Sequence, residues 1–176
     1  LTYIVAGGGS ALDPSHWRVD LAGFAVAADI GGVSLAGGLR RFTPAEGGVE
    51  YLGMLMARVA VYGLSVYGGY GVVGPENDRY TAIFLFGAVN GPIGGPPAFF
   101  VTGIGGGFGI NRQLSVPTDL AQFNTFPLIK ALDPAARAGD PFRELAEARV
   151  FFAPERGTFW FAAGISFNSF ALVDGI

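Results

Sequence analysis

The sequence predicts a mainly β protein: an antiparallel sheet, as meander, sandwich or filled barrel, with a short helical insertion near 118–148. Three observations predict it. Residues 1–110 run as apolar segments of strand length separated by glycine, proline or charged turns, and no helical pattern lies between them. Strands that follow one another without crossover helices pair antiparallel. Hydrophobic residues make up 51% of the chain and charged ones only 14%, against roughly a quarter charged in an ordinary domain, so a large core is affordable and disorder is excluded. The 29 glycines keep no triplet repeat, which excludes collagen and leaves turns and smooth strands as their use.

Taken in order, Thr2–Ala6 reads as a short strand and "AGGGSALDPSH" as a loop. Trp17–Asp29 and Val33–Phe42 form a hairpin about Gly31–Gly32. After "TPAEGG" come Val49–Val61 and, beyond a turn at Gly63, Leu64–Val73. "GPENDR" is a polar turn, Tyr80–Asn90 a strand, "GPIGGPP" a loop and Ala98–Ile110 a further strand. The prolines then cluster. Asp140 is placed to cap a helix with Pro141 at its first position, and Phe142, Leu145 and Ala146 or Ala148 share one face. Thr118–Gln122 is a second helical turn. Thr158–Phe167 and Ser169–Val173, joined at Asn168, close the set of nine to eleven strands. Tyr80–Val89 is apolar on both faces, which predicts burial on both sides. Residues 1–176 are read as a single β domain or a fragment of a larger β protein, since "LTYIVAGGGS" and "ALVDGI" both look cut.

The stretch "VTGIGGGFGINR" poses the main question. At a period of two, Gly103, Gly105, Gly107 and Gly109 all fall on one face. Such a smooth strip admits a backbone, a helix or an apolar ligand at close range, so these four are the candidate ligand or packing strip.

Chemistry-bearing residues are sparse. Gly69, Gly71 and Gly74 match G-x-G-x-x-G, but "PENDR" follows where a dinucleotide site needs a helix N-terminus. His16 is the only histidine and there is no cysteine, which argues against zinc, thiolate nucleophiles and disulfides. Net charge is −3 with no basic run beyond Arg40–Arg41, so no nucleic-acid footprint exists. Asp20 and Glu50 are the carboxylates that fall inside strands; their expected partners are Arg18 and Arg58 on the same faces, the alternative being a glycosidase-like carboxylate pair if their two strands meet. Asn111 and Arg112 end the glycine strand, Asn as a residue that tolerates a left-handed turn and Arg112 as a donor to loop carbonyls or to Asp119.

"PAFFVTGIGGGFGINRQLSVPTDLAQFNTFPL" (Pro97–Leu128) resembles a stretch of a family of large β-rich proteins of unknown function from bacteria and fungi. The matching residues are Gly107, Phe108, Gly109, Asn111, Arg112, Pro117, Phe126 and Pro127. The resemblance implies a piece of a larger β assembly and supplies no substrate, cofactor or catalytic residue.

The functional expectation is a structural or assembly β module, not an enzyme, with no metal or cofactor. Its expected partners are other copies of itself or the rest of a longer chain, not nucleic acid or a membrane. The alternatives are an apolar-ligand or lipid-binding β cavity floored by the glycine strip, and an outer-membrane β-barrel.

Overall fold

In the computed structural model, residues 2–5, 17–20, 22–96, 98–123, 125–133, 140–169 and 173–175 are described. The chain runs β1 (Thr2–Val5), β2 (Trp17–Asp20), β3 (Gly23–Ile30), β4 (Val33–Phe42), β5 (Gly48–Val59), β6 (Tyr62–Val73), β7 (Tyr80–Gly94), β8 (Phe100–Arg112), α1 (Leu120–Phe123), α2 (Pro127–Leu132), α3 (Pro141–Phe151), β9 (Pro154–Ser169) and β10 (Val173–Gly175). β3 to β10 form one antiparallel meander in which every strand pairs with its neighbour in sequence; β3 and β10 are its two edges. The sheet is therefore open rather than a closed barrel. β1 and β2 pair with each other as a separate ribbon.

That ribbon corrects one expectation. Trp17–Asp29 is not a continuous strand: its first part pairs with β1 and its second with β4. Gly23 opens β3 where a Cβ would press on the Leu39 carbonyl at 2.7 Å, so the chain is free to change direction there. The hairpin about Gly31–Gly32 forms as predicted. Both glycines have positive φ, 61° and 82°, the backbone a two-residue turn between twisted strands requires.

Helices α2 and α3 lie on one face of the sheet, called here the covered face. α3 starts as its residues dictate: Asp140 accepts from the Phe142 backbone N–H at 3.0 Å, Pro141 holds the first position and Glu144 sits in the first turn. It runs three residues past the predicted 141–148 stretch. α2 has no side-chain cap at Phe126. Its stability comes from packing: Leu128, Ala131 and Leu132 are buried against the sheet.

The core joins Leu52, Met54, Met56, Tyr67, Phe84, Phe86 and Ala88 of the sheet to Phe126, Leu128, Leu132, Leu145, Ala148 and Phe152 of the helical layer. Phe152 stacks on Phe84 at 4.3 Å and on Trp160 at 5.9 Å, and so bridges β7 and β9. Each such ring contributes about 2–3 kcal/mol on burial.

Burial of β7 on both sides is not what the structure shows. Ala82, Phe84, Phe86 and Ala88 are buried under the helices, while Leu85 and Val89 on the other face are about half exposed. Among the described residues no second layer covers that face.

Candidate functional site: an open apolar sheet face

The glycine row lies on the covered face, and neighbouring groups occupy the space its missing side chains leave. Over Gly105 sits the Phe86 ring tip, 3.1 Å from where a Cβ would be. At Gly107 a Cβ would collide with the Leu85 carbonyl and come within 2.7 Å of the Phe86 Cα. The Trp160 indole fills the space where a Gly109 Cβ would stand. Above Gly103 the Asn90 and Ser166 side-chain oxygens both stand 2.5 Å from the would-be Cβ, with the Leu132 carbonyl at 3.3 Å. The row is therefore close-packed by rings and by the end of α2. Gly164 of β9 does the same for the Leu132 side chain, in line with the small residues Ala162, Gly164 and Ser166 that β9 turns to the covered face.

Glu50 does not pair with Arg58. It accepts from Arg112 and, at 3.0 Å, from Arg149 Nε near the end of α3. Arg58 stands eight residues further along β5, at the other end of the sheet. Arg112 does not reach Asp119 either. It donates to Glu50, to the Phe152 carbonyl at 2.9 Å and to the Ala82 carbonyl at 3.5 Å, with its guanidinium over the Phe84 ring. Glu50 and Arg112 are both wholly buried. A strict alternation places Arg112 on the face of Ile110, the open one. Asn111, at φ 52°, introduces a bulge that turns Arg112 inward. Its side chain holds the bulge, donating to the Thr81 carbonyl at 2.7 Å and accepting from the Gly157 N–H at 2.8 Å. Arg149 and the buried Tyr67–Glu144 contact, 3.4 Å between hydroxyl and carboxylate, were not among the sequence candidates. The helical spacing of Glu144 from Pro141 and Ala148 marks the covered face of α3, and that is the only local signal for it.

Asp20 and Glu50 do not come from paired strands: β2 belongs to the separate ribbon. The side chains of Arg18 and Asp20, and His16 as a whole, lie outside the described residues. Among the described residues no cluster of three or more metal-ligating side chains occurs, and no helix is long and apolar enough to cross a membrane. Where the helical layer ends, the covered face opens into a cleft of about 580 Å³ lined by Asp29, Ser34, Met56, Arg58, Asn90 and Asp133.

The opposite face has no such cover. Register fixes its membership: residues paired across the strands share a face, so one row carries Phe24, Leu39, Gly53, Gly68, Leu85, Phe108 and Phe161, and the next Val26, Gly37, Leu55, Val66, Gly87, Gly106 and Ala163. Rows with Leu35, Leu64, Val89, Ile104 and Ile165, and with Tyr51, Tyr70, Ile83, Ile110 and Phe159, flank them. From β3 to β9 the one charged side chain at these positions is Arg41, paired with Tyr51 at the margin. Many of these residues are exposed, Phe161 at 76%. Monomeric soluble proteins rarely expose so large a contiguous apolar patch. Gly87 and Gly106 lie side by side in it, and a Cβ on either would meet nothing closer than the Ala162 carbonyl at 3.4 Å. They form the floor of a trough between Leu85 and Phe161 on one side and Val89 and Ile104 on the other.

The sheet, its bulge and its helical layer span the segment that a model for a family of unknown function, DUF6603, matches over residues 2–175. The chain belongs to that family. No curated protein and no solved structure matches it. In this family member the residues behind the resemblance noted in the sequence have structural tasks: Gly109 admits Trp160, Asn111 makes the bulge, Arg112 binds Glu50, and Phe126 and Pro127 start α2 with Phe126 edge-on to Phe151 at 5.3 Å.

Proposed function

We propose that this chain is a structural or assembly β module whose open sheet face docks on another apolar layer. The observation that carries this reading is the seven-strand apolar face, whose four central rows hold Arg41, at their margin, as the one charged side chain. A broad seven-strand face suits sheet-on-sheet packing, with layers about 10 Å apart, better than it suits a small ligand, which prefers an enclosed concavity. The ionisable groups support the same reading. Glu50 is held by two guanidinium groups away from solvent, an arrangement that fastens α3 and β8 to β5 rather than presenting a carboxylate to a substrate. The trough over Gly87 and Gly106 favours, as a second reading, an apolar or lipid chain laid along the face.

The test is light scattering coupled to size exclusion, in plain buffer and in mild detergent, together with binding of an apolar fluorophore. A defined assembly in buffer that leaves the fluorophore dark is the expected result. A monomer that takes up neither fluorophore nor detergent contradicts the docking role. A monomer that binds detergent or phospholipid vesicles directs attention to the second reading.

A further inference from the structure

We infer that the occupant of the open face is a second copy of this chain, packed face to face about a two-fold axis, with Phe161 of each copy seated over the Gly87–Gly106 trough of the other. The inference rests on the reading of that face as a docking surface and goes on to name the partner. Area, charge and relief lead to it.

Seven strands at about 4.8 Å spacing, each offering roughly ten residues at about 3.3 Å, make a face on the order of 1,000 Å². A stable complex needs about 800 Å² from each partner, and homodimer interfaces are the more apolar class. The face thus meets the requirement by itself. Its charge pattern restricts the partner to a surface as uncharged as itself, because each buried unpaired charge would weaken the complex. The same face on a second copy is such a surface. A two-fold contact also sets Arg41, at the margin, clear of the apolar centre.

The relief is self-complementary. Phe161 stands 76% exposed on β9 and is propped edge-on by Phe159 at 4.7 Å. It is a ridge whose position does not depend on burial within its own copy. The trough lies one strand away, floored by Gly106 of β8 and Gly87 of β7. In an isologous interface a ridge beside a trough of fitting depth meets the partner's trough beside its ridge.

The trough also allows a selective test. A Cβ at Gly106 meets only the Ala162 carbonyl, at ordinary contact distance, so Gly106→Val fills the trough without disturbing the fold, and valine suits a strand. Phe161→Ala removes the ridge from a largely exposed position. Sedimentation analysis of the whole 176-residue chain, with circular dichroism as the check on folding, reads both. The wild type is expected to dimerise, and each variant to remain folded and to raise the dimer dissociation constant at least tenfold. A dimer whose affinity neither variant changes overturns the inference, because association then uses another surface such as the β3 edge. A wild type that is monomeric at about 100 μM, weaker than a specific interface of this size allows, also overturns it. In that case detergent or vesicle uptake turns the face over to the second reading, an apolar or lipid chain, and no uptake removes the docking role as well.

Discussion

Arg112 and Glu50, 62 residues apart in the chain, meet as a wholly buried ion pair beneath α3. The pair exists because Asn111, immediately before Arg112, adopts a left-handed conformation and turns the alternation of β8 over by one position. Arg149 completes the cluster from the last turn of α3, and Arg112 also binds the Phe152 carbonyl just beyond it. One carboxylate thus ties β5, β8 and the C-terminal end of α3 together.

Removing that carboxylate leaves Arg112 buried without a counter-charge. Glu50→Ala is expected to destabilise the fold by about 3–5 kcal/mol, while Glu50→Leu combined with Arg112→Met recovers much of the loss, since replacing both buried partners by apolar groups is often close to neutral. Urea unfolding of the single and double variants checks this. Equal losses in both would place the stability in the geometry around Phe152 instead of in the pair.

The meander was legible because period-two alternation and glycine turns are local signals: the Gly31–Gly32 hairpin and the Asp140–Pro141 helix start are written in adjacent residues. The partner of Glu50 was not. It depends on a bulge at Asn111 and on an arginine in a helix after the proline-rich segment, and neither leaves a period to follow. The open face was half legible. Ile83, Leu85 and Val89 were recognisable as one apolar side of β7, yet apolar character alone does not distinguish a covered side from an uncovered one. α2 escaped notice because it lacks a capping side chain and is held by tertiary packing of Leu128 and Leu132.

The glycine row and the trough make opposite predictions at neighbouring positions. Gly107→Ala drives a Cβ into the Leu85 carbonyl and the Phe86 backbone, which cannot yield as a side-chain tip would. Gly87→Ala meets the Ser65 carbonyl at 3.8 Å, an ordinary contact. The first is expected to cost more than about 2 kcal/mol, in the range of overpacked cores, and the second to be neutral or slightly stabilising because alanine loses less chain entropy. Thermal unfolding at low protein concentration separates them. Equal effects would contradict the assignment of the two faces.

Asn111 carries two separate duties, a positive φ and two side-chain hydrogen bonds. Asn111→Gly retains the first and loses the second; Asn111→Val loses both. The expected order of stability is Asn, then Gly, then Val, with valine down by about 1–3 kcal/mol for its backbone strain alone. A valine variant as stable as the glycine one would mean that the bulge has moved to another residue and carried Arg112 with it, visible as a changed response to Glu50→Ala.

Tyr67 supplies the pH dependence. Burial, then the charge of Glu144, then the hydrogen bond to it push the phenol well above its ordinary value of 10.0. The folded state therefore keeps a proton that the unfolded chain releases near pH 10. The sign follows: the contribution is intact below that pH and is lost as pH rises above it, because only the unfolded state gains by ionising. Tyr67→Phe removes the titrating group and also the buried donor to Glu144. It is expected to be less stable than wild type at pH 7 by about 1–2 kcal/mol, and to lose stability less steeply above pH 10. Urea midpoints across the alkaline range test both halves, and parallel alkaline slopes for the two proteins would show that Tyr67 ionises as freely folded as unfolded.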